Sequence, residues 1–186
     1  MQEKNSCRWD HANDPGRNAW LVCMGRNDFG EIMTGTQRLV VQRVDPPAYT
    51  AVLSMEEYVR SGILEKSLLS LIKIRASQLN GCAFCLDMHN REATEQGETG
   101  RRLNLLAAWR DALGLYTERE RAALALTEAV TLIAQTGVPD EIWDVARARF
   151  SEIELVQLLM AISTINVWNR LAISTRQPIP DLGLKD

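Results

Sequence analysis

The segment LIKIRASQLNGCAFCLDMHNREA, residues 71–93, decides how the rest of the chain is read. Leu68, Leu69, Ile72 and Ala76 recur at helical spacing, which predicts a helix over about 65–79. Asn80-Gly81 breaks it, and a second helix is predicted from Cys82 to near Gly97. Cys82 therefore falls at a helix start, where unpaired N–H groups and the positive end of the helix dipole stabilise a thiolate. The CxxC spacing sets Cys82 and Cys85 about one turn apart, close enough to bond with little backbone movement. His89 follows Cys85 by four residues and Cys82 by seven, so all three share one helix face. An imidazole there can accept a thiol proton and later return one. Two blander readings compete: inert buried thiols, or half of a zinc site with His89 as third ligand. A structural zinc site wants four ligands, usually as two separated pairs. The fourth would have to be Cys7, His11, Cys23 or an acid, and the first three lie in an irregular stretch. Redox use is the better fit.

Outward from this segment the punctuation is helical. Pro46-Pro47 can open a helix and Gly62 close it, with Tyr49, Val52, Leu53 and Val59 between them. A helix over about 101–111 carries Leu105, Leu106 and Trp109. Thr117-Glu118-Arg119-Glu120 is a capping box, opening a helix expected to reach about Gln135. Pro139 opens a short helix to about Phe150, and Ser151-Glu152-Ile153-Glu154 starts a last long one ending before Gln177-Pro178. Only Arg38 to Val44 looks extended. The expected fold is an all-α domain of six to eight helices over residues 37–186. Residues 1–36, with Asp14-Pro15-Gly16, Gly25, Gly30 and Gly35, read as an irregular N-terminal arm, and translation is expected to begin naturally at Met33.

Composition excludes several classes. At 186 residues the chain fits one domain with a substantial core. Hydrophobic residues make up 46% and charged residues 24%, and the net charge is −3, which gives a nucleic-acid role no global support. No apolar run approaches a membrane span, and the first residues lack the apolar core of a secretory signal. Four cysteines are too few and too unevenly placed for a disulfide scaffold, so a reducing cytoplasm is the expected compartment.

The blocks at residues 71–93 and RERAALALTEAVTLI, residues 119–133, resemble the AhpD-like alkylhydroperoxidases of the carboxymuconolactone decarboxylase superfamily; the likeness spans about residues 40–175. It implies an AhpD-like helical domain, assembly as a homo-trimer or homo-hexamer, and thiol-dependent reduction of hydroperoxides with an external dithiol as reductant. The decarboxylase branch lacks the CxxC pair, so the pair favours the redox branch. Carried over, Cys85 is the peroxidatic cysteine, Cys82 the resolving one and His89 part of a proton relay. Helix-dipole reasoning alone chooses Cys82 as the more acidic thiol, whereas the adjacent histidine and the resemblance favour Cys85. A relay glutamate is common in the family twelve residues ahead of the first cysteine; here that position is Ser70. Glu128 is the expected substitute, lying between Leu124 and Leu132 on one helix row, the single acid between Glu120 and Asp140. The competing reading of Glu128 is a salt bridge to Arg75; Glu65 is a weaker candidate. Trp109, Trp143 and Trp168 read as core or subunit-contact residues. No metal, flavin or nucleotide cofactor is expected, and no nucleic-acid or membrane partner. The alternative function is a disulfide reductase, adaptor or redox sensor without efficient peroxide turnover.

Overall fold

A computed structural model describes residues 36–180, and every described element is helical. The irregular arm expected over 1–36 lies, apart from Thr36, outside the described residues, as do Met33, Cys7, His11 and Cys23. Nine α-helices and one 3₁₀ turn follow in order, and no strand occurs among the described residues. Residues 37–178 form one compact unit.

Helix α1 is a single turn, Val41–Val44, where an extended segment was expected. A strand needs a partner, and among the described residues this segment has none to pair with. Instead Arg38 N–H bonds Thr175 O at 2.8 Å, and the chain coils so that Asp45 N–H bonds Val41 O at 2.9 Å. Asp45 then caps α2 (Pro46–Arg60), accepting from Ala48 N–H at 3.1 Å, with Pro46 in the first turn where its missing N–H costs nothing. Beyond α2 the chain runs so close to Gln157 that a Cβ on Gly62 would sit 2.6 Å from its Oε1, which accepts from Ile63 N–H at 2.9 Å.

Helix α3 (Lys66–Asn80) ends at Gly81, whose left-handed φ of 70° reverses the chain into α4 (Ala83–Glu95). Helix α5 (Gly100–Leu105), capped by Thr99, is shorter than predicted and tightens into a 3₁₀ turn, Leu106–Ala108. After that turn the Trp109 indole is buried and donates to Glu128 Oε1 at 2.8 Å. The capping box at Thr117 opens α6 (Glu118–Thr131), which breaks at Leu132 before one further turn, α7 (Ile133–Thr136). Helix α8 (Asp140–Arg147) follows Pro139, and the capping box at Ser151 opens the 24-residue α9 (Glu152–Thr175).

Helix α3 is the hub, packing on α4, α6 and α9. Its apolar faces feed two cores. Leu68, Leu69 and Ile72 join Leu126, Leu158 and Ile162, while Leu71 and Ile74 join Leu103, Leu106, Trp109 and Leu124. Full burial of each such side chain stabilises by roughly 1.5–3 kcal/mol. The remaining face is polar: Ser70, Lys73, Ser77 and Asn80 follow one another at spacings of three and four. The first three are buried and Asn80 partly so. This seam positions the candidate site. No helix among the described residues is long and apolar enough to cross a membrane.

Candidate active site

Cys82 is the N-cap of α4. Its backbone is extended, and its Sγ accepts from the Cys85 N–H at 3.4 Å, a place normally taken by a serine or aspartate oxygen. Both thiols are free and only 1% exposed. The thiol of Cys85 donates to Cys82 sulfur, which lowers the Cys82 pKa to about 7 against the opposing effect of burial; the Cys85 N–H and the Asn169 amide add to the lowering. Cys85 moves the other way, its proton held by the bond to Cys82 and its anion disfavoured by burial and by the Cys82 charge. The resemblance makes Cys85 the first nucleophile; the geometry of the reduced pair makes Cys82 the more acidic thiol, as its place at the helix start implies.

Asn169 of α9 reaches this pair across the polar seam, and sequence reasoning passed it over. Its fully buried amide lowers the pKa of both thiols. Its Nδ2 also donates to Ser77 Oγ at 3.0 Å, and its Oδ1 accepts from Asn80 Nδ2 at 2.9 Å. Asn80 donates again to Asn166 Oδ1 at 3.0 Å, and Asn166 donates to Thr131 Oγ1 at 3.0 Å. A buried amide this fully engaged has a fixed orientation. The legible signal was the seam itself, four polar residues on one face of an otherwise apolar helix.

His89 lies one turn beyond Cys85 and is 1% exposed. Its Nδ1 lies 3.2 Å from Glu92 Oε2, so in the neutral ring Nδ1 carries the hydrogen and Nε2 the basic lone pair. Burial lowers the His89 pKa, and Lys73 lowers it further, against the opposing pull of Glu92 and Glu56. Glu92 is held down at about 2: burial would raise it, but the His89 hydrogen bond and the His89, Lys73 and Arg60 charges prevail. Arg60 Nη2 meets Glu92 Oε1 at 3.1 Å. Lys73 pairs with Glu56 of α2, both buried. Neither was singled out in the sequence, because each sits in a helix where charged residues usually mark the solvent face. No three His, Cys, Asp or Glu side chains among the described residues gather closely enough to hold a metal ion.

The relay expected at Glu128 is not what the structure assembles. Glu128 Oε1 accepts from Arg75 Nε and from Trp109 Nε1, each at 2.8 Å, and Oε2 bonds Arg110. Burial pushes its pKa up, but these three donors outweigh burial and the net shift is down. Arg75 is two residues from both Lys73 and Ser77, about 200° around α3, so this cluster occupies the opposite face from the thiol seam. Ser70, in place of the usual relay glutamate, donates to Gln96 Oε1 at 3.3 Å. Glu65, the weaker candidate, pairs with Arg119 at 3.1 Å.

Comparison with known proteins agrees with this architecture. The model of the carboxymuconolactone decarboxylase family matches residues 46–129. The uncharacterized protein YdfG of Bacillus subtilis is 40% identical over 139 residues, 75% of this chain and 94% of YdfG. Among solved structures, ATU0492 of Agrobacterium tumefaciens, a protein of unknown function described as a candidate antioxidant defence protein AhpD, superimposes with a TM-score of 0.76. It is 44% identical, and the match covers 78% of this chain and 99% of that one. The debrominase Bmp8 shares the fold alone, at 19% identity and a TM-score of 0.68 over 76% of this chain and 75% of its own. With the helical order, the thiol pair and these likenesses in agreement, the chain belongs to the carboxymuconolactone decarboxylase family, on its AhpD-like side.

Proposed function

We propose that the chain is a thiol peroxidase that reduces small hydroperoxides through Cys82 and Cys85. The observation that carries this reading is the Cys82 sulfur at a helix N-cap, accepting from a backbone N–H, from the neighbouring thiol and from Asn169, with its pKa brought to about 7. A thiol so placed is about half ionised at neutral pH, and the thiolate is the nucleophile. The name of ATU0492, at 44% identity, supports an antioxidant role.

In the proposed cycle the Cys82 thiolate attacks the terminal oxygen of a hydroperoxide. An S–O bond forms, the O–O bond breaks, and the departing alkoxide takes a proton to leave as an alcohol, or as water when the substrate is hydrogen peroxide. His89, one turn along the same face, is the proton carrier. The sulfenic acid on Cys82 then condenses with the Cys85 thiol, releasing water and forming the disulfide. An external dithiol reduces that disulfide by exchange, being oxidised in turn. The near-complete burial of both sulfurs favours a small oxidant, and a protein reductant would need local opening at the helix start, where Gly81 is the flexible point. Assembly as a homo-oligomer and residence in the cytoplasm belong to the same proposal.

Stopped-flow oxidation of the reduced protein by hydrogen peroxide and by an organic hydroperoxide tests it. Oxidation should exceed that of a free thiol at the same pH by at least ~100-fold. Cys82→Ser should abolish the fast phase, and Cys85→Ser should retain one oxidation event and leave a sulfenic acid open to trapping. The reverse pattern would return the first attack to Cys85. A rate no faster than a free thiol would favour the second reading, a disulfide reductase or adaptor, for which Ser70 in place of a carboxylate is the specific support.

A further inference from the structure

Among the buried charges the mechanism does not use, Glu56 and Lys73 stand out. They come from different helices, are 3% and 4% exposed, and form an ion pair through Glu56 Oε1. Taking two such ions out of water costs several kcal/mol each, which a pair recovers only when its remaining hydrogen-bonding capacity is also filled. Here it is not: Glu56 Oε2 is buried with no hydrogen-bond partner among the described residues. An apolar pair of the same volume would serve packing as well or better. Their location suggests why the charges are there. Helix α2 brings Glu56 and, one turn on, Arg60, which holds Glu92, the partner of His89. Lys73 sits on the polar seam of α3, one turn before Ser77 and the thiol-facing Asn169. The charged groups that act on His89 include Glu56 from α2, Lys73 from α3 and Glu92 from its own helix, with Arg60 holding Glu92 and the titratable Cys82 and Cys85 on the same helix face.

We propose that Glu56 and Lys73 are a pair of opposed positioning residues: their two buried charges set the proton affinity of His89 and so the pH window in which the site can carry a proton. Glu56, with one carboxylate oxygen left uncommitted, holds a proton on the imidazole; Lys73 repels it. The direction of each effect on His89 agrees with this, Lys73 lowering and Glu56 raising its affinity. The inference rests on His89 being the proton carrier of the proposed reaction. Its readout is the imidazole itself, so a failure of the peroxide reading leaves the test intact.

The test is an NMR titration of the reduced full-length protein. The chain has two histidines, His11 and His89, and the His89 signal is assigned by its loss in His89→Gln. Glu56→Gln should move the His89 midpoint down by about half a pH unit and Lys73→Met should move it up by about one. Both changes break the same ion pair and would destabilise the fold alike, so a merely structural role moves the two midpoints together or not at all. Shifts of the same sign, or none, overturn the proposal. Where either single variant melts too low to titrate, two compensated variants replace it. E56Q/K73M removes both charges, and E56K/K73E reverses them. The charge at position 73 acts on His89 more strongly than the charge at position 56, so the reversed pair should titrate above the neutral pair; an equal or lower midpoint overturns the proposal.

Discussion

Glu56 and Glu128 are both carboxylates on largely apolar helices, both lean on α3, and their surroundings differ in one decisive respect. Glu128 has three donors for two oxygens: Arg75, Trp109 and Arg110. Among the described residues Glu56 has one, Lys73, and keeps Oε2 without a partner. An acid on an apolar face is therefore not in itself a functional signal; what separates the two is how much of the acceptor capacity is filled. A saturated carboxylate is a structural clamp. A buried, half-satisfied one holds charge that neighbouring groups feel.

The contrast is broken most directly at its cations. Lys73→Met leaves Glu56 buried with no counter-charge and should cost about 3–5 kcal/mol in denaturant unfolding at pH 7. A loss under 1 kcal/mol would mean that Glu56 reaches water or takes up a proton at no cost, and the buried-pair picture would go with it. Glu128→Gln should cost less, about 1.5–3 kcal/mol, since the amide keeps an acceptor for Trp109 or Arg75 while losing the charge. More telling is what it should leave alone. The alkylation rate of Cys82 should still rise with a midpoint near pH 7, the value set by Cys85, the helix start and Asn169 on the other face of α3. A midpoint moved by half a unit would tie Glu128 to the thiols after all.

A smaller effect should appear in the pH dependence of stability. His89 is buried and its pKa lies below the ordinary 6.5, so between those two values the unfolded chain binds a proton the folded one does not. Stability is then greatest above pH 6.5 and falls as pH drops through it, by up to about 1.4 kcal/mol per unit. His89→Gln should flatten the slope between pH 6.5 and 5.5. An unchanged slope would mean that the imidazole is already charged in the fold, which contradicts a neutral proton acceptor.

The sequence shows these two regions unequally. The helices were legible because their signals are local: Asn80-Gly81 as a break, capping boxes at Thr117 and Ser151, and apolar residues at helical spacing. Both capping boxes are present in the structure. Cys82 at a helix start was legible for the same reason. Arg38 to Val44 misled because a β-branched run predicts a strand only where a partner strand exists, and here the chain coils after bonding Thr175. Asn169 and Glu56 were beyond reach for a different reason. Their roles depend on partners 92 and 17 residues away, Ser77 and Lys73, on other helices. Glu128 stood out because it was isolated from other acids, yet its cations come from α3 and from the turn after α5, which spacing on its own helix cannot reveal.

The smallest effect belongs to Arg110. Its side chain is 54% exposed, it bonds Glu128 Oε2, and its guanidinium lies 4.3 Å above the Trp109 ring. An exposed ion pair is screened by water and salt, so Arg110→Ala should cost no more than about 1 kcal/mol, and less in 1 M salt. Water can replace the lost donor at Oε2, while Arg75 and Trp109 keep Oε1 saturated. A cost above 2 kcal/mol would mean that water does not reach Oε2. Glu128 without Arg110 would then resemble Glu56, and saturation by neighbours would no longer distinguish the two acids.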